Sequence, residues 1–234
     1  TANSWAGLLC EEDSTLNATG CPISENQIGV NCIGQMSLND CQITNHKEHA
    51  VQCLGSLSLE DSTISRNGIG LIAGKTGNVN GSDCKFETNG LHAEVTNNAT
   101  ISFTQTKFID STGKSAINIT ESGTGVFSQC EIVNSKDIAI YLNGKIDMNE
   151  TKVLESGEIA LLCDTNSSGR VNECIFSGKG SCGIQLAGGN CLISNNTIEK
   201  FQQFGIYIKP QSKAAVENND FKMTKGQLAN LWKE

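Results

Sequence analysis

One short pattern returns along the whole of this chain: a small residue, then any residue, then a bulky apolar one. It reads Cys21-Pro22-Ile23, Cys41-Gln42-Ile43, Ser62-Thr63-Ile64, Cys84-Lys85-Phe86 and Thr106-Lys107-Phe108. It continues as Cys130-Glu131-Ile132, Thr151-Lys152-Val153, Cys174-Ile175-Phe176, Asn196-Thr197-Ile198 and Asn219-Asp220-Phe221. These ten copies are spaced 20 to 24 residues apart, about 22 on average. A fixed period of that size marks an architecture of stacked units, each too small to bury its own apolar face.

The rest of each unit is β in character. Short alternating stretches such as Met36-Ser37-Leu38 and Ile101-Ser102-Phe103 recur, whereas few segments have apolar residues at helical spacing. Four or five residues after the small position stands a polar turn residue, as at Asn26, Asn45, Asn67, Asn89, Ser111, Asn134 and Ser156. Asn tolerates left-handed backbone and suits a corner. A second apolar pair follows (Ile69 and Leu71, Ile117 and Ile119, Ile184 and Leu186), then a third (Leu57 and Leu59, Ile146 and Met148). Three short strands and three corners per unit describe one rung of a single-stranded, right-handed parallel β-helix. Leucine-rich repeats of similar length need a Leu-x-x-Leu-x-Leu framework, which this sequence lacks.

In such a coil equivalent residues lie above one another at the strand spacing of about 4.8 Å. The bulky position then becomes a continuous interior column from Ile23 through Phe86 and Phe108 to Phe221, beside a column of small residues from Cys21 to Asn219. The expected organisation is one all-β domain over 1–234. Residues 1–20 form the N-terminal cap and first rung, 21–224 the rungs, and 225–234 a short C-terminal capping helix. Trp5 and Trp232 are read as caps, the latter on one side of that helix with Leu228 and Leu231.

At these residues the chain resembles the right-handed parallel β-helix repeat family, the pectate-lyase-like superfamily. Ser65-Arg66-Asn67-Gly68-Ile69-Gly70-Leu71 and Thr96-Asn97-Asn98-Ala99-Thr100-Ile101 resemble most the β-helices of intracellular adaptors. Those are the SHC SH2-domain-binding protein family and a β-helical F-box protein. The resemblance spans roughly residues 5 to 224 and rests on core and turn positions, so it implies a fold more than an activity.

Composition narrows the function. The net charge is -8 and Arg66 and Arg170 are the only arginines, so nucleic acid is not an expected partner. No apolar run is long enough to span a bilayer, and no membrane partner is expected. The resemblance implies, for an enzyme, acidic clusters with calcium and an arginine, or close aspartates with a histidine. This chain has no Asp-Asp pair and no Gly-His-Gly, and no carboxylate pair at glycosidase spacing is evident. No cofactor or metal is expected. His46, His49 and His92 are read as exposed, and Cys163, Cys174, Cys182 and Cys191 lack Cys-x-x-Cys spacing.

The eleven cysteines are expected to be free thiols. Neighbours in a parallel ladder point the same way at about 4.8 Å, beyond the roughly 3.8 Å between Cβ atoms of a disulfide. Cys10, Cys32, Cys53 and Cys163 fall 9 to 11 residues before the small column and form another candidate buried register. Free thiols favour a reducing compartment, and a cytoplasmic location is expected. Six Asn-x-Ser/Thr sequons, at Asn17, Asn98, Asn118, Asn149, Asn166 and Asn195, weigh the other way.

The function expected is a non-catalytic protein-binding scaffold or adaptor domain of a larger intracellular protein. The alternative is a carbohydrate-binding or carbohydrate-active β-helix. The candidate partner or ligand surface comprises the outward acids Asp40, Asp61 and Asp83, whose stacking invites a basic group, with Lys85 and Lys107 as nearby compensation. It also includes Tyr141 and Tyr207, placed in equivalent strands three rungs apart. The segments around Gly74 to Gly81, Thr120 to Gly125 and Asp164 to Gly169 are read as longer contact loops.

Overall fold

The computed structural model describes residues 5–120, 122–222 and 229–233. Its strands form three parallel sheets, and each rung contributes one strand to each. Sheet A starts with Ala6–Cys10, Ile28–Cys32 and His49–Cys53, sheet B with Thr15–Thr19, Gln35–Asn39 and Ser56–Glu60, and sheet C with Pro22–Ser24, Gln42–Thr44 and Thr63–Ser65. Every strand pairs with the equivalent strands of the rungs before and after it, giving eleven strands in sheet A and ten in each of the others. The repeat in the sequence is therefore the turn of a β-helix.

The interior column keeps its register along the coil, and the pairing of Lys152–Ser156 with Ile175–Gly178 shifts register only beyond Leu154. Ile23, Ile43, Ile64, Phe86, Phe108, Ile132, Val153, Phe176, Ile198 and Phe221 are successive partners in sheet C. Cys10, Cys32 and Cys53 are successive partners in sheet A, and their column runs on through Ala73, Val95, Ile119 and Leu142 to Cys163. The middle of the core is aromatic. Phe86 stacks on Phe108 at 4.9 Å, and Phe103 meets both edge-on at 5.4 Å, the arrangements that ring quadrupoles favour. Gly81 makes this possible: a Cβ there would overlap the Phe103 ring one rung above.

The corners hold the rungs together through backbone donors that no strand ladder satisfies. Between sheets B and C the small column accepts them. Cys41 N–H donates to Ser62 Oγ at 3.0 Å, Cys130 N–H to Thr151 Oγ1 at 3.2 Å, and Cys174 N–H to Asn196 Oδ1 at 2.9 Å. Between sheets C and A a second ladder does the same work. Asn26 N–H donates to His46 Nδ1 at 3.2 Å, His46 N–H to Asn67 Oδ1 at 2.9 Å, and Asn67 N–H to Asn89 Oδ1 at 3.0 Å.

This second ladder corrects the reading of the corner residues. Asn26, Asn67, Asn89, Ser111 and Ser156 are buried and point inward. The left-handed backbone belongs to the residue just before the ladder position, as at Asn45 (φ 60°), Arg66 (φ 57°) and Asn134 (φ 56°). His46 is likewise buried, because its imidazole substitutes for an Asn side chain, and Gly29 leaves the room it needs. His92 is also buried, in a sheet A position that is otherwise Gly or Ala from Gly7 through Gly205. Burial pushes its imidazole down to about 4. Only His49 remains half-exposed, so the expectation of exposed histidines holds for none of the three in full.

The C-terminal helix is corrected as well. Ala229–Lys233 is a strand that pairs with Phe204–Ile208, with Leu231 over Ile206 and Trp232 over Tyr207; the remainder of the expected helix lies outside the described residues. An open sheet edge presents a row of unpaired N–H and C=O groups, and pairing with it satisfies these. Trp232 consequently lies on the outer face of sheet A, 48% exposed, and not across the end of the core; Trp5 is 50% exposed. The expected loops are shorter than read. Gly74 to Gly77 and Asp164 to Ser167 are tight turns closed by hydrogen bonds of 2.9 and 3.0 Å, and Gly123 N–H donates to Thr120 O at 3.0 Å, while Gly81, Gly125 and Gly169 belong to strands of sheet B.

Candidate functional site

The three sheets turn chemically different faces outward. On sheet B the middle outward column begins Asn17, Ser37, Ser58, Asn80, Ser102, small neutral hydrogen-bonding side chains on a flat surface. Shallow concavities along it are lined by residues such as Gln35, Ser56, Ser58, Asn80 and Ser102. Its later rungs carry the Arg170–Asp147 pair at 3.0 Å. Sheet C is charged. Lys85 meets Glu87 at 2.8 Å, and Glu131 stands between Lys107 and Lys152 at 3.5 Å from each. Such exposed pairs contribute little to stability, but they occupy the lysines expected to balance the aspartates.

Sheet A is different. In most of its five-residue strands the first and fourth side chains lie on the outer face while the others face the core; Ile28, Asn31 and Cys182 at these positions are buried, and Leu231 and Lys233 of the last strand are exposed. The outward residues include Ile69 and Ile72, Ile138 and Tyr141, Ile159 and Leu162, and Phe204 and Tyr207, all partly accessible. Among the described residues neither outward column contains a Lys or Arg, and Glu94 is the single carboxylate. Aromatic side chains gather toward the C-terminal end. Phe204 and Tyr207 stack at 5.1 Å, and Trp232 lies 6.1 Å from Phe204.

The candidate residues divide between two places. Tyr141 and Tyr207 do share one outward column of sheet A, separated by Leu162 and Gln185. The Tyr141 hydroxyl donates to Asp164 Oδ2 at 2.7 Å, and that carboxylate pushes the phenol's pKa up. Asp40, Asp61 and Asp83 instead form a corner column between sheets B and C, with φ of 50°, 48° and 53°. Their side chains are exposed. Their backbone N–H groups donate to Glu60, Ser82 and Thr104 one rung on. The acids and the tyrosines therefore do not form one site. The sparsely charged face of sheet A was missed in the sequence; its signal is the shortage of charged residues and the frequent apolar residues at the first and fourth positions of those strands.

Among the described residues no three His, Cys, Asp or Glu side chains come together as a metal-binding group. No described helix is long and apolar enough to cross a membrane. All eleven cysteines are free, ten of them buried and Cys21 partly accessible. Burial raises the thiols of Cys84 and Cys130 to about 11 and those of Cys174 and Cys182 to about 12.

A family model described as a right handed beta helix region matches residues 92–233. No curated protein matches the sequence. Among solved structures, the surface protein and adhesin PfbA of Streptococcus pneumoniae is 8% identical with a TM-score of 0.53, over 97% of this chain and 92% of that one. ORF18 of Geobacillus virus E2 is 13% identical with a TM-score of 0.28, over 97% of this chain and 54% of that one. The likeness to PfbA is one of fold. The matches reach the β-helix as a class and not the adaptor families that the sequence resembles.

The cytoplasmic expectation is corrected by the same comparison, since the matching fold belongs to a surface protein. The physical reason lies in the thiols. Core cysteines stacked in register stay unpaired because of ladder geometry, so their reduced state carries no information about the redox compartment. Matched over more than half of its length, the chain belongs to the right-handed β-helix family.

Proposed function

We propose that this chain is a non-catalytic protein-binding module that docks a protein on the outer face of sheet A. The observation that carries the reading is the absence of Lys and Arg, among the described residues, from both outward columns of that sheet in a chain of net charge -8. Interface centres are depleted in charge and enriched in aromatic residues, and Tyr141, Phe204, Tyr207 and Trp232 fit that composition. The coil adds rigidity, which lowers the ordering cost of binding. The acids Asp40, Asp61 and Asp83 stand at a separate corner, where they are available to a basic group of a partner large enough to wrap that edge.

The test is affinity purification of the tagged protein beside its Ile159→Glu and Tyr207→Glu variants. A reproducible protein partner that both variants lose supports the assignment. A partner retained by both, or none at all, overturns it.

A second reading is favoured by sheet B, whose Asn17, Ser37, Ser58, Asn80 and Ser102 column offers neutral donors and acceptors suited to an extended glycan. Binding on a glycan array that Asn80→Ala and Ser58→Ala abolish would support it. An array with no signal removes it.

A further inference from the structure

We propose that the occupant of the sheet A face is a second copy of this chain, packed face to face about a two-fold axis. This rests on the reading of that face as a protein-docking surface and names the protein that docks.

The first observation is a mirror order in the outward residues. Ser115–Ile119 is the sixth of eleven strands in sheet A, and its outward residues Ser115 and Asn118 are polar. Two strands before it stand Ile69 and Ile72, and two strands after it Ile159 and Leu162. Three strands before it the fourth position is Gln52, and three strands after it Gln185. Fourth-position residues two and three places from the centre thus match in polarity in both directions; first positions match one and four places out (Leu91 with Ile138, Ile28 with Phe204), where the fourth positions differ (Glu94 and Tyr141, Asn31 and Tyr207).

That order is what an isologous contact requires, because a two-fold operator places one surface on itself. Let the axis lie in the contact plane, parallel to the Ser115–Ile119 strand. Rotation reverses the order of the rungs and keeps the strand direction, so each outward column faces its own copy. Ile69 then lies opposite Ile159, Ile72 opposite Leu162, and Gln52 opposite Gln185, while Asn118 meets Asn118 of the second copy on the axis. Glu94 comes opposite Tyr141, a phenol, and not opposite another Glu94.

Charge and size agree with this. Two chains of net charge -8 repel, and a contact face whose outward columns hold no Lys or Arg and Glu94 as the single carboxylate among the described residues adds little like-charge repulsion. Eleven strands spaced about 4.8 Å and five residues wide at about 3.3 Å each cover roughly 800 Å², the contribution of each partner to a stable interface of ordinary size.

The test is sedimentation equilibrium of the full chain with two kinds of variant. The wild type is expected to sediment at twice the 24.9 kDa chain mass, and Leu162→Glu to raise the dissociation constant roughly 100-fold. Ser58→Glu on sheet B is the control and is expected to leave it unchanged. Because Leu162→Glu could act through misfolding, Asn118→Cys in a Cys21→Ser background supplies an independent readout. Oxidised glutathione should join it rapidly into a covalent dimer, since the two Asn118 positions meet on the axis, and should join Ser102→Cys, on sheet B, far more slowly. A chain that stays at 24.9 kDa up to roughly 100 µM, well above the range of interfaces this size, overturns the proposal, as does equal cross-linking of the two cysteine variants. Either result leaves the docking role of the face to the purification with Ile159→Glu and Tyr207→Glu, which succeeds or fails with a monomer.

Discussion

Asn89 Oδ1 accepts two hydrogen bonds from Asn67 one rung below, from its backbone N–H and from its side-chain Nδ2, both at 3.0 Å. Both residues are buried, so water has no ready access to donors released there. Removing this oxygen leaves the Asn67 backbone N–H unpaired while Asn67 Nδ2 keeps Ser65 O at 2.9 Å, and Asn89→Ala also withdraws the donor that serves Ile64 O at 3.0 Å and His92 Nδ1 at 3.2 Å. A buried group left unpaired costs about 1 to 3 kcal/mol. Asn89→Ala is expected to lower stability by about 3 kcal/mol in urea unfolding. A loss near that of a surface substitution would show that the ladder contributes little.

The core glycine Gly81 makes a steric prediction. Its missing side chain is replaced by the Phe103 ring of the next rung, so Gly81→Val forces that ring away from Phe86 and Phe108. Overpacking of this kind costs about 1 to 3 kcal/mol. The double variant Gly81→Val with Phe103→Ala is expected to recover part of the loss, a non-additivity that unfolding of all three proteins measures.

His92 gives the coil an acid sensitivity. Its folded-state value lies at about 4 because burial disfavours the imidazolium, while Asp110 acts weakly in the opposite direction. Unfolding restores a value near 6.5, so the unfolded chain binds the proton more readily. Stability from this group is intact above about pH 6.5, declines as the pH falls, and levels off below about 4. The full shift corresponds to about 3 kcal/mol. Burial also lowers His46 and His49, which adds to the same trend. His92→Ala should flatten the stability profile between pH 6.5 and 4, and an unchanged slope would assign the acid sensitivity elsewhere.

Thiol labelling discriminates the buried registers from the surface. In the native protein Cys21 is the one cysteine that is not buried. Intact-mass analysis after brief alkylation is expected to show one fast adduct, with the rest appearing only on unfolding. Several fast adducts would mean that the columns open readily.

The fold was legible because stacking converts a sequence period directly into columns. Ile43, Ile64 and Phe86 need only share a position in the period to share a place in the core. The corners were less legible, since Asn is suited both to the left-handed residue at Asn45 and to the inward acceptor at Asn67, one position apart in the rung. His46 concealed its role because an imidazole nitrogen replaces an amide oxygen without resembling it in sequence. At Leu228, Leu231 and Trp232 the spacing fits a helix, yet the open edge of Phe204–Ile208 draws residues 229 to 233 into a strand. The column shared by Tyr141 and Tyr207 was readable. The surface they belong to was not, because it emerges only when the first and fourth residues of every sheet A strand are taken together.

Registration is tested most directly by pulsed dipolar electron paramagnetic resonance on paired labels in one column of sheet B. Ser37 and Ser102 are three rungs apart, and Ser37 and Arg170 are six apart. With labels introduced at these positions in a Cys21→Ser background, the backbone separations are expected to be about 14 and 29 Å, in proportion to the number of rungs. Separations that do not double between the two pairs would contradict the stacked coil.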